Sequence, residues 1–316
     1  SIALPRTHGK RPAPLSGGLR HSYHACCLGS VFLAQLAGIP AIPVLAPQFI
    51  AQYAPTLSAD DVGVFVSQSG ETKDVLNAVR VATERGCGIL GLVNVIGSSL
   101  TQVSERYLPL ACGYEISVPA TKTYTNQVIA FLYLAMRLGG HDLHALDSLP
   151  NLIRQSIQET DPLVTTLAPQ ISAWNDLYCV GYGYTFPVAL EGALKLKEIT
   201  YAHCEGMLST EFKHGPLSAV QDGYPVIFVA GPQDVPLIIS GINEVTCRGG
   251  RAIVIGQEDP RLRANGDDLI PVPECPPPFN AVLAAIPLQL LAYRISLARG
   301  LDPDFPRNLS KTLTVD

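Results

Sequence analysis

Three charged side chains share one face of a predicted helix over residues 187–203. Glu191, Lys195 and Glu198 follow an i, i+4, i+7 spacing, which places a carboxylate, an ammonium and a second carboxylate side by side. The intervening residues are mainly apolar, so the face is expected to be buried, where charges must pair or react. Such a set can move a proton and stabilise an oxyanion. The alternative is a structural ladder on an exposed face, which suits Lys197 better than Lys195.

Two further candidate residues, His214 and Lys311, lie later in the chain. His214 stands next to Gly215 and Pro216 at a predicted helix end, and a histidine can act as a general acid or base near neutral pH. A purely structural histidine is the alternative. Lys311 lies in a polar C-terminal segment, where a lysine is normally only solvated.

A strand–turn–helix pattern over residues 62–80 predicts an anion site. The apolar run at 62–66 predicts a buried strand, and a helix is predicted from about residue 72. The turn between them reads Ser67, Gln68, Ser69, Gly70, Glu71 and Thr72. Its hydroxyl groups and the first amides of the helix can bind a phosphate group, and the turn lacks the GxxxxGK[ST] pattern of nucleotide-binding loops. An ordinary turn with a capping Ser or Thr is the alternative.

Composition narrows the function classes. The chain has 316 residues, of which 47% are hydrophobic and 16% charged, which favours two folded domains over disorder. Its net charge of −5 without a basic cluster argues against nucleic acid as a partner. We expect no membrane span and no signal peptide, because long uninterrupted apolar segments are lacking. The eight cysteines form no CxxC pair, which indicates reduced thiols in a cytoplasmic protein without a metal site or cofactor.

Strand and helix patterns alternate along the chain, which predicts α/β architecture with parallel sheets and helices on both faces. Strands are predicted at 62–66, 89–93, 177–181, 225–230, 252–256 and 269–272. Helices are predicted at 24–37, 72–85, 125–138, 187–203, 236–248 and 279–299, with connecting helices over 147–172. The repeated layout suggests a duplication. We therefore divide the chain into a flexible lead-in, two domains and a tail, at 1–19, 20–146, 147–300 and 301–316.

Six segments of the chain form recognisable motifs in a fixed order: SQSGET (67–72), NVIGSSL (94–100), ATKTYTNQ (120–127), ALEGALKLKEITY (189–201), EFKHGPL (211–217) and PRNLSKTLTVD (306–316). Together they resemble the isomerase portion of the glutamine–fructose-6-phosphate amidotransferase (glucosamine-6-phosphate synthase) family. The likeness extends from about Ser22 to the C-terminus. It implies two tandem flavodoxin-like parallel-sheet sandwiches, known as sugar-isomerase (SIS) domains, which act on fructose 6-phosphate and glucosamine 6-phosphate without a cofactor.

The resemblance also implies roles for individual residues. Glu198 would carry the proton between C1 and C2 of the sugar, Lys195 would stabilise the oxyanion at O1, and Lys311 would form an imine at C2. His214 would open the sugar ring and would come from the other subunit of a homodimer, and the tail would close the active site. The sugar phosphate itself would be held by Ser22, Ser67, Gln68, Ser69, Thr72 and the backbone of Val118.

Two departures from the family pattern affect this reading. No segment resembles the glutaminase domain, so glutamine is not expected to be the nitrogen source for this chain alone. The family's first strand and its Gly-x-Gly-Thr-Ser turn are also unrecognisable before Ser22, so that strand is expected to be missing. Two alternative functions stay open: a free-standing glucosamine-6-phosphate deaminase, and a non-catalytic sugar-phosphate sensor, which the joint presence of the four candidate catalytic residues argues against.

Overall fold

The computed structural model describes residues 13–17 and 20–310, and the chain divides into two compact units. The first unit runs to Glu115 and includes Lys122–Leu143. The second comprises Ile116–Thr121 and the described residues from His144 to Ser310. Each unit is built on one sheet of five parallel strands, as the alternating pattern predicts.

The first sheet has the strand order β2-β1-β3-β4-β5. Its strands are β1 (Ala13–Gly17), β2 (Ala41–Leu45), β3 (Val62–Ser67), β4 (Gly88–Val93) and β5 (Arg106–Pro109). Its helices are α1 (Arg20–Ala37), α2 (Ala46–Tyr53), α3 (Lys73–Glu84), α4 (Ser99–Val103) and α5 (Lys122–Gly139). Helix α1 packs against α5, and α2 packs against α3. Apolar side chains of α2 and α3, including Phe49 and Val75, form a buried core with Phe65 and Ile89 of the sheet.

The expectation that the first strand is missing is wrong, because β1 lies inside the predicted lead-in and pairs with β2 on one side and β3 on the other. Composition hides it, since the strand reads APLSG. The pairing shows how Pro14 is tolerated: only residues 15–17 pair with β3, whereas Pro14 pairs with Ile42 of β2. Pro14 therefore lies at the strand's start, outside the ladder with β3.

The second sheet has the order β10-β9-β8-β6-β7. Its strands are β6 (Asp176–Gly181), β7 (His203–Leu208), β8 (Pro225–Val229), β9 (Arg251–Gln257) and β10 (Asp268–Val272). Its helices are α6 (Leu149–Ile171), α7 (Phe186–Thr200), α8 (Val235–Thr246), α9 (Pro260–Asn265), α10 (Pro277–Leu283) and α11 (Ala285–Ala298). When the second sheet is read from β7 to β10, its strand order matches that of the first sheet. This is the flavodoxin-like order. The predicted duplication is thus visible as two copies of one topology.

Helix α7 is apolar over most of its surface because the sheet covers one side of it and α11 covers another. It packs against β6 and β7 of the sheet and against α11. The approach is close at Gly192, where a Cβ atom would lie 2.6 Å from a side-chain carbon of Leu288. The predicted helix over 187–203 ends earlier than expected, at Thr200, because β7 begins at His203.

The prediction of a single long helix over 279–299 is also wrong. It is two helices that meet at Ala284. Pro287 has no N–H group to donate to the carbonyl of Leu283, so the helical ladder is interrupted there. The combined segment Pro277–Ala298 is long and apolar enough to span a membrane by composition. However, 67% of an 18-residue apolar window within it is buried in the structure, as in the core helix of a globular domain.

All eight cysteines are free thiols. Cys26, Cys27, Cys87, Cys179 and Cys204 are buried, and only Cys247 is fully exposed. Burial raises the pKa of Cys204 to about 12 and that of Cys27 to about 11. These groups are therefore protonated and unreactive near neutral pH, in agreement with the prediction of reduced, buried thiols.

Candidate active site

The three charges predicted to share a face of α7 form one buried network. The ammonium of Lys195 lies 2.6 Å from Oε2 of Glu198 and 3.3 Å from Oε1 of Glu191. The Lys195 and Glu191 side chains are each 2% exposed, whereas that of Glu198 is 20% exposed. Lys197, by contrast, is exposed. The predicted choice between a buried functional set and an exposed ladder is thus decided in favour of burial.

Two carboxylates keep Lys195 charged. Burial by itself would lower the pKa of its amine, but the carboxylates of Glu191 and Glu198 outweigh that effect and raise the pKa above its ordinary value of 10.5. An amine that stays protonated is a fixed positive charge and a poor nucleophile. Lys195 therefore suits the stabilisation of an oxyanion and does not suit imine formation.

Glu198 is the member of the network that reaches open space. It lines a cavity of about 390 Å³ together with residues from the end of α7 and from the C-terminal segment. Within the second unit, this cavity is lined by Lys197, Glu198, Tyr201, Ala202, His203, Arg307, Asn308 and Leu309. A carboxylate held at one oxygen by Lys195 and facing a cavity can accept a proton from a bound molecule.

The predicted phosphate loop follows β3 in the first unit, and its hydroxyl groups brace its backbone. Ser67 Oγ accepts a hydrogen bond from the Gly70 amide at 3.0 Å and lies 3.0 Å from Thr72 Oγ1. Ser69 Oγ accepts one from the Glu71 amide at 3.2 Å. Thr72 stands at the start of α3 but its hydroxyl does not cap the helix. Because the serine oxygens accept these hydrogen bonds, each serine O–H group can still donate to an anion. The first amides of α3, which no side chain caps, are further donors.

A second loop, after β4, holds the phosphate loop in shape. The Leu100 amide donates to the Gly70 carbonyl at 3.0 Å, and the Glu71 carboxylate accepts 2.7 Å hydrogen bonds from both the amide and the hydroxyl of Ser99. These bonds lower the pKa of Glu71. Gly70 has a φ of 69°, and a Cβ atom there would lie 2.0 Å from Ser98 Oγ, so the loop requires glycine at this position.

The remaining predicted residues lie in different places. Ser22, in the first turn of α1, is buried and accepts a 3.1 Å hydrogen bond from Gln127. Val118 belongs to the second unit, and its amide donates a hydrogen bond to the Asp304 carbonyl at 3.1 Å. His214 is exposed in a 3₁₀ turn and makes no side-chain hydrogen bond or ion pair to any described residue. Lys311 lies outside the described residues.

The structure thus brings Lys195 and Glu198 together in the second unit, and Ser67, Ser69 and Thr72 together in the first. Sequence reasoning identified Glu191 by its spacing but gave it no role, and its 1% exposure makes it part of the network. Gln127 was missed altogether, because no local pattern marks a glutamine that bonds Ser22 across 105 residues. No group of three or more His, Cys, Asp or Glu side chains in the described part of the chain is placed to hold a metal ion.

Comparison with known proteins supports the resemblance to glucosamine-6-phosphate synthases. The glutamine–fructose-6-phosphate aminotransferase [isomerizing] of Methanothermobacter thermautotrophicus is 40% identical over 299 residues, which are 93% of this chain and 50% of that protein. The Saccharomyces cerevisiae protein of the same name is 36% identical over 312 residues, 93% of this chain and 43% of that protein. The chain therefore spans about half the length of the curated relatives it matches.

Solved structures show the same architecture. The C-terminal domain of glucosamine-fructose-6-phosphate aminotransferase from Francisella tularensis superposes with a TM-score of 0.87 at 28% identity, covering 94% of this chain and 88% of that one. A glucosamine-6-phosphate deaminase from Thermotoga maritima shares the fold, with a TM-score of 0.84 at 22% identity over 96% of this chain and 90% of that one. The family described as SIS domain matches residues 15–137 and 170–299, which cover most of both units. This chain accordingly belongs to the SIS domain family.

Proposed function

We propose that this chain is a phosphosugar isomerase and aminating enzyme of the glucosamine-6-phosphate synthase type. It converts fructose 6-phosphate to an aldose phosphate and, with ammonia, to glucosamine 6-phosphate. The observation that carries the proposal is the buried Lys195 held between two carboxylates, one of which, Glu198, faces a cavity. The likeness to curated aminotransferases supports the choice of substrate.

The network on α7 fits the proton transfer that such a reaction needs. Glu198 removes a proton from C1 of the open-chain sugar and returns it to C2, which turns a ketose derivative into an aldose derivative. Negative charge gathers on O1 during the transfer, and the fixed charge of Lys195 stabilises it. Glu191 supplies the second negative charge that keeps Lys195 protonated.

The phosphate loop of the first unit suits the phosphate group of the substrate. Ser67, Gln68, Ser69 and Thr72 bind the phosphate group through hydroxyl, amide and backbone donors, and Ser22 and the carbonyl of Val118 bind sugar hydroxyl groups. No lysine lies between positions 67 and 72, so neutral donors are offered to the dianion.

The proposal includes three further elements. Lys311 forms an imine with C2 of the sugar, a task for which Lys195 is unsuited because it is doubly paired. His214 opens the sugar ring of the partner subunit in a homodimer, which agrees with its exposure in the second unit. The enzyme works in the cytoplasm, where free thiols persist.

Isotope exchange tests the assignment of the base. The protein is incubated with fructose 6-phosphate in heavy water, and deuterium at C1 and C2 is followed by NMR. Glu198→Gln should slow exchange on the order of 100- to 10,000-fold with substrate binding nearly intact. Glu205→Gln, an exposed position on β7, serves as the matched control. Exchange at the wild-type rate in Glu198→Gln would assign the base elsewhere.

Product analysis tests the reaction itself. Fructose 6-phosphate and ammonium salt should yield glucosamine 6-phosphate, and the reverse assay measures ammonia release from glucosamine 6-phosphate. A strong preference for release would assign the chain to deamination, and neither reaction nor exchange in a folded, sugar-binding protein would indicate a sensor.

Subunit mixing tests the shared site. A His214→Ala protein and a Glu198→Gln protein, each inactive alone, should regain part of the activity after subunit exchange, because one of the two sites in the heterodimer has both residues intact. Absence of recovery after confirmed exchange would place His214 and Glu198 of the same subunit in each site.

A further inference from the structure

One arginine joins the C-terminal ends of three helices in the second unit. Arg299 directly follows α11, and its guanidinium donates hydrogen bonds to three backbone carbonyls. The carbonyl of Ser172, directly after α6, accepts at 2.8 Å, and that of Thr200, the last residue of α7, accepts at 2.6 Å. The third acceptor is the carbonyl of Trp174, between α6 and β6. Arg299 therefore ties the end of α7 to the ends of α6 and α11.

A guanidinium suits this place because the last carbonyls of a helix have no partners within the helix. Helix C-termini also carry the negative ends of the helix dipoles, which a positive charge offsets. An arginine offers five N–H donors in fixed directions, whereas a lysine offers one compact charge. Burial lowers the pKa of Arg299, and no carboxylate of a described residue pairs with it, so its charge is directed at these carbonyls.

The end of α7 depends on such an anchor because its own cap is weak. The residue after the helix, Tyr201, has a φ of 60° and a ψ of 13°, a left-handed conformation that glycine usually supplies at a helix end. A side chain makes this conformation less favourable. Strand β7 begins two residues later, at His203, so the chain must turn sharply. The last turn of α7 is thus stabilised from outside, by Arg299.

The proposed catalytic base lies in this last turn. Glu198 precedes Thr200 by two residues, and its carboxylate lines the cavity and accepts a 2.6 Å hydrogen bond from Lys195. Lys195 lies nearer the middle of the helix and is 1% exposed, so packing fixes it. The side chain of Glu198 is 20% exposed, so its position depends more on the backbone that carries it. Misplacement of a catalytic group by about 1 Å can slow a reaction roughly 100-fold.

We propose that Arg299 is a positioning residue for Glu198: its guanidinium fixes the last turn of α7, so that the Glu198 carboxylate stays aligned with C1 and C2 of the sugar. This inference rests on the proposed function and adds one residue to it. Arg299 does not touch the substrate or exchange a proton. The proton that leaves C1 is held on Glu198 and returned to C2, and Arg299 acts only through the backbone.

The variants separate the fixed fork of donors from the charge. Arg299→Lys keeps the positive charge but cannot reach three carbonyls in fixed directions. Arg299→Gln removes the charge as well, and should it fail to fold, Arg299→Lys alone decides the outcome. Arg294→Lys is the matched control, because Arg294 lies on the same helix and binds the Asp161 carboxylate of α6, with one N–H···O distance of 2.8 Å. It makes the same chemical change away from the end of α7.

Deuterium exchange at C1 of fructose 6-phosphate, measured over a range of sugar concentrations, reports the position of the base. Arg299→Lys should lower kcat for exchange about 10- to 100-fold and leave KM within about threefold of wild type. Arg294→Lys should stay within about twofold of wild type in both constants. Melting temperatures are measured by circular dichroism in parallel. A lower melting temperature with wild-type kcat in folded Arg299→Lys would show that Arg299 only stabilises the unit, and would overturn the inference.

Backbone hydrogen exchange separates failure of this inference from failure of the proposed function, because it needs no activity. By mass spectrometry, the peptide over residues 196–202 should exchange about 10-fold faster in Arg299→Lys than in wild type, and at the wild-type rate in Arg294→Lys. Unchanged protection in Arg299→Lys would overturn the anchoring itself. A wild-type protein that binds fructose 6-phosphate without exchange at C1 would refute the proposed function and the positioning role with it. Normal C1 exchange in both wild type and Arg299→Lys would refute this inference alone.

Discussion

Removing the ammonium of Lys195 should destabilise the second unit far more than removing that of Lys197, two residues along the same helix. Lys195 is 1% exposed and contacts two carboxylates, whereas Lys197 is exposed. Lys195→Met keeps most of the side-chain volume and leaves Glu191 buried without its cation. Lys197→Met makes the same chemical change at the surface and therefore serves as the control.

The structure sets the size of the expected effects. Breaking a buried ion pair by removing one partner costs about 3–5 kcal/mol, because the other charge stays buried. An exposed lysine should contribute less than about 0.5 kcal/mol. Glu191→Gln should fall between them, at about 1–3 kcal/mol, since Lys195 keeps its 2.6 Å contact with Glu198.

The pH dependence gives a second, independent signature. The raised pKa of Lys195 means that its stabilising charge is fully present below about pH 10.5 and is lost only as the pH rises through the folded-state value. The stability of wild type should therefore not change with pH through this lysine between about pH 6 and 9. In Lys195→Met, Glu191 favours its protonated form, so stability should fall as the pH rises.

Urea unfolding of the three variants at both ends of that pH range measures these differences. Fluorescence of Trp174, in the second unit, reports the relevant transition. Equal loss of stability in Lys195→Met and Lys197→Met would show that the network is not the buried ion pair described above. A stability of Lys195→Met that does not change with pH would show that Glu191 is solvated and not buried.

Three further predictions concern other sites. In urea unfolding, Gly70→Ala should lower stability by about 2 kcal/mol or more beyond the effect of Gly97→Ala. Both glycines have a positive φ, but only at Gly70 would an added Cβ atom meet Ser98 Oγ, at 2.0 Å. Equal effects of the two substitutions would contradict this. Burial raises the pKa of Asp234, so the ionised carboxylate is less stable in the folded than in the unfolded protein. Asp234→Asn should therefore raise the melting temperature at neutral pH, and a lower melting temperature would refute the reasoning. Iodoacetamide should label Cys247 first in the native protein, as peptide mass spectrometry can check, and early labelling of the buried cysteines would contradict the fold.

Sequence reasoning identified the charged helix face and the hydroxyl-rich turn but missed strands at the edges of the sheets. The spacing of Glu191, Lys195 and Glu198 predicted one face of one helix, and the hydroxyl-rich turn after β3 predicted a phosphate loop, because both signals are local. The missed edge strands β2, β5 and β7 are only partly buried, so their sequences lack the apolar runs that mark β3 or β8. Strand β1 was missed for another reason. Its position is fixed by backbone pairing with β2 and β3, and residues such as Pro14, Ser16 and Gly17 do not mark a strand by their composition.

The contacts that complete the candidate sites could not have been read from local patterns. Gln127 reaches Ser22 from another helix, and Glu71 reaches Ser99 from another loop. Arg307 meets Tyr201 across 106 positions of the sequence. Each of these contacts depends on which strands are neighbours in the sheet or on how the C-terminal segment runs, and a single sequence carries little information about either.

The two copies of the topology carry different side chains at equivalent places. In each sheet the order of strands reverses beside the first strand of the unit, and ligands bind where the loops after the two central strands separate. In the first unit the loop after β3 carries Ser67, Ser69 and Thr72, which suits an anion. The equivalent loop after β8 instead ends in Asp234, a buried carboxylate whose charge would repel a phosphate group.

The equivalent helices differ in the opposite sense. Helix α1, after β1, presents the neutral Ser22, while α7, after β6, carries Glu191, Lys195 and Glu198. A buried triad of charges next to a phosphate dianion in the same copy would set two carboxylates against it. One copy of the fold therefore carries a neutral hydroxyl group on this helix, and the other copy carries the paired charges.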